Sequence, residues 1–279
     1  MRSRILLILV DGLRPEALSL AACPAMGSLI AQGASTLSAR SVVPTMTLPC
    51  HMSLVLSVPP ERHGVLENLW QPPLVSHPGL FEVVRHGGLR ASMVFNWAAL
   101  RAMAGADSLY FSWFLDCLAH DDGDDRVTDA AERHMRRDEP DFAFVYLGTA
   151  DIAGHEHRFL SDRYLRQVER VDRCVERLVA AHPVEGHVLV HSDHGGHDWT
   201  HGTDEPEDIT IPWILKGPGV HSGFTLEAAV SLLDTAPTVA HLLGLPSPPE
   251  WEGSIVHEAF LPIDIERPEA ARPGPHVAG

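Results

Sequence analysis

Residues 5–10 read ILLILV and end at an aspartate and a glycine, Asp11-Gly12. Six consecutive apolar residues leave no polar face, so a strand made from them must be covered on both sides. Two later runs repeat the design. FAFVYL at 142–147 is followed shortly by Asp151 and His155, and HVLVH at 187–191 by Asp193-His194. Ser92–Phe95 and Ile211–Leu215 read as further strands. Strands buried on both faces imply a mostly parallel central sheet between helical layers, an α/β fold of the three-layer α/β/α sandwich type.

Helical patterns lie between the runs. Over Ser161–Ala181, Tyr164, Val168, Val171, Val175, Leu178 and Val179 fall at helical spacing behind a serine suited to cap the first turn. Residues 231–245 give another helix, stopped by Gly244 and Pro246. A shorter one is expected over His51–Ser57.

Residues 1–261 are read as one catalytic domain. Within it, the Pro-, Gly-, Trp- and His-rich stretch 59–125 is a candidate substrate-recognition insertion, with Trp70, Trp97, Phe111 and Trp113 available to stack on a base, although packing suits most of them. Its acidic run HDDGDD at 120–125 reads as a solvated loop. Residues 262–279, rich in Pro, Ala and Gly, read as a flexible tail.

With 21 Lys and Arg against 37 Asp and Glu, the formal charge is −16, which argues against binding nucleic acid or anionic lipid through a broad basic surface. An acidic chain that handles phosphates needs metal ions to reverse the sign locally. The four cysteines, Cys23, Cys50, Cys117 and Cys174, form no C-x-x-C pair, so a reducing, cytoplasmic setting is expected. No run is long enough to span a membrane. Oligomeric state is not legible.

The most polar stretch is HSDHGGHDWTHGTD at 191–204, with four histidines and three aspartates in fourteen positions. Imidazole and carboxylate together are the ligand set of zinc, manganese or iron. The ends of parallel strands lie along one sheet edge, where ligands bind, so Asp11, Asp151 with His155, and Asp193 with His194 are expected to converge there. The i, i+4 spacing of Asp151 and His155 lets one helical turn or a tight loop aim both at one ion. Gly12, Gly195 and Gly196 are expected to permit sharp backbone turns. A single aspartate after a strand is more often a cap or turn residue; three such clusters favour a metal centre. Thr45 and Thr47 precede the helix expected from His51, where backbone amides favour an anion. Both fit ordinary loop or capping roles, but beside a metal a threonine hydroxyl becomes a nucleophile.

The stretches LLILVDGLRPEAL, PTMTLPCHMSLVLSVPPERHGV, YLGTADIAGHEHRFLSDRYLRQVERVD, SDHGGH and LLDTAPTVAHLLGLPSPPEWEG occur in an order that resembles the alkaline phosphatase superfamily, most closely its nucleotide pyrophosphatase/phosphodiesterase branch. The resemblance implies two divalent metal ions, zinc or related ions such as manganese, and a small phosphate-ester or nucleotide substrate. It implies that Asp11, Thr47, Asp193 and His194 hold one ion, with Thr47 the nucleophile, and that Asp151, His155 and a further histidine hold the other. His201 is the favoured third ligand, by similarity to the cofactor-independent phosphoglycerate mutases. His197 and His257 are the alternatives.

At position 50, where phosphodiesterases of this branch carry a phosphate-binding asparagine, this chain has Cys50, a poor donor. Stabilisation is then expected to come more from metals and backbone amides. A phosphomonoesterase or phosphonate hydrolase is the alternative on the same site. A phosphomutase is less favoured for want of a long inserted cap domain. A sulfatase is disfavoured because Cys50-His51-Met52-Ser53-Leu54 lacks its signature, and a non-catalytic relative because the ligand set is complete.

Overall fold

The computed structural model describes residues 3–105 and 107–262. The tail expected at 262–279 therefore lies, from 263 onward, outside the described residues.

The strands are β1 (Ile5–Val10), β2 (Ala34–Arg40), β3 (Ala91–Phe95), β4 (Phe111–Phe114), β5 (Phe142–Leu147), β6 (His187–His191), β7 (Thr210–Lys216) and β8 (Phe224–Thr225). They form one sheet in the order β4-β3-β5-β1-β6-β7-β2-β8. Pairing is parallel from β4 through β6 and between β2 and β8, and antiparallel where β7 meets β6 and β2. Apolar run β1 occupies the middle, with Val10 beside Leu147 of β5 and Leu9 beside His191 of β6.

The longer helices are α1 (Pro24–Gln32), α2 (Thr47–Leu56), α3 (Leu80–His86), α4 (Gly123–Asp138), α5 (Thr149–His157), α6 (Asp162–Ala181) and α7 (Thr235–Leu242). Strand alternation divides them into two layers. Ile5, Leu7 and Leu9 face a core built with α2, α3 and α7, whereas Leu6, Ile8 and Val10 face one built with α1, α4 and α6. Every β1 residue is fully buried, as its composition requires. In α6 the expected cap is present: Ser161 accepts a hydrogen bond from the Tyr164 amide at 3.3 Å.

Three expectations change. The helix expected at His51 begins four residues earlier, at Thr47, because Pro49 is tolerated in a first turn that needs no internal amide donor. Residues 59–125 include β3 and β4, so this stretch is partly scaffold. Trp97 packs against the core and Phe111 stacks on His134 at 3.8 Å, while Trp70 and Trp113 stay part-exposed. The acidic run is not all solvated: Asp124 is buried and accepts hydrogen bonds from the Gly148 amide (2.9 Å), the Thr149 amide (3.1 Å) and hydroxyl (2.5 Å), and Asn96 Nδ2 (3.0 Å). It thus fixes the start of α5, the helix that carries Asp151 and His155.

Among the described residues no helix is long and apolar enough to cross a membrane.

Candidate metal centre

Parallel strands β1, β5 and β6 end at the same sheet edge, and the residues that follow them meet there. Asp11 leaves β1, Asp151 and His155 lie one turn apart on α5, and Asp193-His194 follow β6. Gly12 makes the close approach feasible: its φ is +65°, and a Cβ at that position would lie 2.8 Å from Asp151 Oδ1. Gly195 and Gly196 serve a different purpose from the expected sharp turn. Neither has a left-handed φ, but a Cβ at Gly195 would meet the Glu207 carbonyl at 2.1 Å and one at Gly196 the Phe159 ring at 2.4 Å.

Two groups result. In the first, Asp11, Asp193 and His194 are buried, and each offers a ligand atom within 4.8 Å of the others. His194 Nε2 is 3.3 Å from Asp11 Oδ1, 3.4 Å from Asp193 Oδ2 and 3.3 Å from Thr47 Oγ1. In the second, Asp151, His155 and His201 again each offer a ligand atom within 4.8 Å of the others. His155 Nε2 is 3.3 Å from Asp151 Oδ2 and 3.0 Å from His201 Nε2, and His201 Nε2 is 3.6 Å from Asp151 Oδ1. The groups adjoin, since the rings of His194 and His201 stack with centroids 3.8 Å apart.

The donor chemistry fits cations. All three histidines have Nδ1 against a backbone carbonyl: Trp199 for His155 (2.8 Å), Gly195 for His194 (2.9 Å) and Thr45 for His201 (2.7 Å). Since a carbonyl only accepts, Nδ1 carries the proton and Nε2 presents its lone pair to the centre, the arrangement that orients metal-binding imidazoles. One carboxylate oxygen of each aspartate, Asp11 Oδ1, Asp151 Oδ1 and Asp193 Oδ2, is buried without a hydrogen-bond partner. An unpaired buried carboxylate is costly unless a cation or donor meets it.

Electrostatics point the same way. Burial, then the charges of Asp193 and Asp151, push the Asp11 carboxyl well above its ordinary range. Burial also raises Asp193, reinforced by Asp151 and opposed by His51. For Asp151, burial is outweighed by the His155 hydrogen bond and the nearby His194 and His201, which hold it low. Negative charge is thus crowded at Asp11 and Asp193, where among the described residues no Lys or Arg forms an ion pair with either carboxylate.

Of the four histidines in 191–204, only His194 and His201 join these groups. His191 lies in the core with Nε2 3.3 Å from Thr235 Oγ1, and His197 pairs with Asp208 at 2.7 Å. His257 sits in a 3₁₀ turn beside His241 and belongs to neither group.

Thr47 opens α2. Its Leu48 amide is taken by Asn68 Oδ1 at 2.9 Å, Pro49 has none and the Cys50 amide bonds the Met46 carbonyl at 2.9 Å, which leaves the Thr47 N–H as the donor at this helix start. Cys50 is buried, with its Sγ 3.3 Å from Ser41 Oγ, and burial, then the Asp193 charge, push its thiol up. Asn68 is the amide that sequence reasoning missed. Its Oδ1 is held by the Leu48 amide, next to Thr47 in the chain. Two buried supports lie outside the set of residues expected for the site. Tyr146 donates its hydroxyl hydrogen to Asp11 Oδ2, and His51 Nδ1, 2.7 Å from the Thr47 carbonyl, lies 3.5 Å from Asp193 Oδ2. Both sit within apolar runs, where nothing local sets them apart from packing residues.

Comparison with known proteins adds the lineage. A 2,3-bisphosphoglycerate-independent phosphoglycerate mutase of Synechococcus is 35% identical over 143 residues, which are 46% of this chain and 26% of the mutase. The chain thus spans about a quarter of the length of the curated relatives it matches. An inactive threonine-to-alanine form of murine ectonucleotide pyrophosphatase/phosphodiesterase 5, in complex with AMP, superposes with a TM-score of 0.79 at 15% identity, covering 93% of this chain and all of that one. A 2-O GAG sulfatase superposes at 0.74 with 15% identity, over 91% of this chain and 73% of the other. At such identities the likeness establishes the shared alkaline-phosphatase-like fold. The family model for type I phosphodiesterase/nucleotide pyrophosphatase matches residues 5–211, and the chain belongs to that family.

Proposed function

We propose that this protein is a metal-dependent phosphoric ester hydrolase that cleaves phosphodiester or nucleotide pyrophosphate bonds through Thr47. The observation that carries the reading is the pair of adjoining Asp/His groups, with three Nε2 atoms turned to the centre and three carboxylate oxygens without a hydrogen-bond partner, beside one threonine hydroxyl. Asp11, Asp193, His194 and Thr47 would hold one divalent cation, and Asp151, His155 and His201 the other. Asp/His sets suit zinc and manganese alike. Bound there, the cations would supply Lewis acidity and offset the charge on the phosphoryl oxygens.

In this reading Thr47 Oγ1 releases its proton to solvent and attacks phosphorus, an O–P bond to Thr47 forms, and the bond to the leaving oxygen breaks in line. The leaving oxygen takes a proton from solvent, and water then cleaves the phosphothreonine to restore Thr47. Thr47 N–H and Asn68 Nδ2 donate to the phosphoryl oxygens, while Tyr146 and His51 hold Asp11 and Asp193. The structural relative whose threonine-to-alanine form is inactive and binds AMP supports both the nucleophile and a nucleotide-like substrate. Four free, buried cysteines are in keeping with a cytoplasmic protein.

Metal analysis of the purified protein, with rates on bis-p-nitrophenyl phosphate, p-nitrophenyl phosphate and p-nitrophenyl sulfate, tests the proposal. Diester preference with about two bound cations is expected. A faster monoester makes the protein a phosphomonoesterase, and a dominant sulfate rate rejects phosphoryl specificity. The 35% identity to a mutase supports a second reading, in which phosphate returns to another position of the substrate. Phosphate release to water separates the two.

A further inference from the structure

The face of α5 turned away from Asp151 and His155 borders a cavity of about 260 Å³ against α6. Arg163, Arg166, Arg170 and Arg173 line it, brought to one side of α6 by spacings of three and four residues. Only Arg170 is engaged, with Asp125 at 2.5 Å; among the described residues no carboxylate lies within 4 Å of Arg163, Arg166 or Arg173. By contrast Arg177, on the next turn, is shared between Asp129 and Glu132. Asp121 and Glu156 also reach the cavity, but the Glu156 carboxylate leans towards His157 at 3.7 Å.

This distribution runs against the composition. In a chain with 37 acidic and 21 basic residues, an arbitrary patch should be acidic, yet three exposed arginines with no carboxylate within 4 Å among the described residues border one cavity. Like charges three and four residues apart repel along a helix, so α6 carries a local cost here that an anion would remove. Guanidinium groups also match oxyanions in geometry, each offering a fork of parallel donors.

We infer that the cavity between α5 and α6 is a binding site for a small, multiply charged oxyanion of the oligophosphate class. A single carboxylate would meet one arginine, whereas several phosphoryl oxygens can engage Arg163, Arg166 and Arg173 together. The site is separate from the one assigned to Thr47, because it lies on the other face of α5 from Asp151 and His155.

Isothermal titration of cyclic trimetaphosphate, a trianion that chelates divalent metals weakly, into the full-length protein at constant ionic strength is the test. One site per chain is expected, with affinity falling at least about tenfold in the Arg163→Gln/Arg166→Gln double variant. Arg173→Gln alone should weaken it less, and Arg136→Gln, on α4 outside the cavity, should not change it. Circular dichroism at the same temperature verifies that each variant is folded. Equal affinity in the double variant would place the anion elsewhere, and no binding beyond a chloride control would remove the site. Either result overturns the inference whatever the catalytic assays show.

Discussion

His155 Nε2 and His201 Nε2 face each other at 3.0 Å while the Nδ1 of each ring is committed to a backbone carbonyl. Two lone pairs at that separation repel unless a proton or a cation lies between them. The Asp151 carboxylate beside them pushes the His155 imidazole up to about 9, the direction expected of a ring that draws positive charge to itself. A metal ion answers the same demand and satisfies Asp151 Oδ1 as well.

Loss of one ring should therefore remove one ion. His201→Ala is expected to lower bound metal by about one equivalent and kcat/KM by a factor on the order of 100 or more. His197→Ala and His257→Ala should retain both. Inductively coupled plasma mass spectrometry of the three variants decides it; full metal content in His201→Ala would move the ligand elsewhere. For the same reason EDTA should lower Tm, because it leaves buried carboxylates unbalanced.

Asn68 and Cys50 make opposite predictions. Asn68→Ala frees the Leu48 amide, at a cost of about 1 kcal/mol in stability, and removes a donor beside Thr47, so kcat should fall by about 10²-fold. Cys50→Ser places a better donor at a position turned towards Ser41, and kcat should stay within a few-fold. Steady-state kinetics that reversed this order would return the donor role to position 50.

Asp124→Ala should act at a distance. It leaves the Gly148 and Thr149 amides and Asn96 without a shared acceptor, with an expected loss of about 1–3 kcal/mol. The start of α5 would loosen, and with it the aim of Asp151 and His155. Chemical denaturation and metal titration should change together; a normal metal affinity in a destabilised protein would uncouple the cap from the centre.

Acid should unfold the protein from the histidine side. Burial lowers His63 from 6.5 to about 4 and His182 likewise to about 4. With the folded value below the unfolded one, the unfolded chain takes up protons first. Each ring's contribution is therefore present above pH 6.5 and is lost as pH falls through about 4. For fully buried His63 the loss is about 3.5 kcal/mol at most, at about 1.4 kcal/mol per unit. Denaturant midpoints measured from pH 7 to 4 should fall, and less steeply in His63→Gln. An identical slope in that variant would exclude His63 as a contributor.

Uniform burial made the centre of the fold legible. Ile5–Val10, Phe142–Leu147 and the Val188–Val190 centre of β6 could be read because a strand covered on both faces is built from a continuous apolar run, and their parallel ends then brought Asp11, Asp151 and Asp193 to one edge. Strand β2, ASTLSAR, escaped because an off-centre strand mixes small and polar residues, and β4, FSWF, because four edge residues show no period. Asp124 was hidden by its neighbours: Asp122 pairs with Arg126 at the surface while Asp124 turns inward, and composition does not distinguish them. Asn68 escaped because its partner, the Leu48 amide, is met only through the path of the intervening chain.

The most direct test of the threonine assignment is the turnover of bis-p-nitrophenyl phosphate by Thr47→Ala carrying its normal metal complement. A loss on the order of 10³-fold or more is predicted, since the attacking oxygen is gone while both Asp/His groups remain. A rate within a few-fold of the parent protein would contradict it and assign the attack to another group.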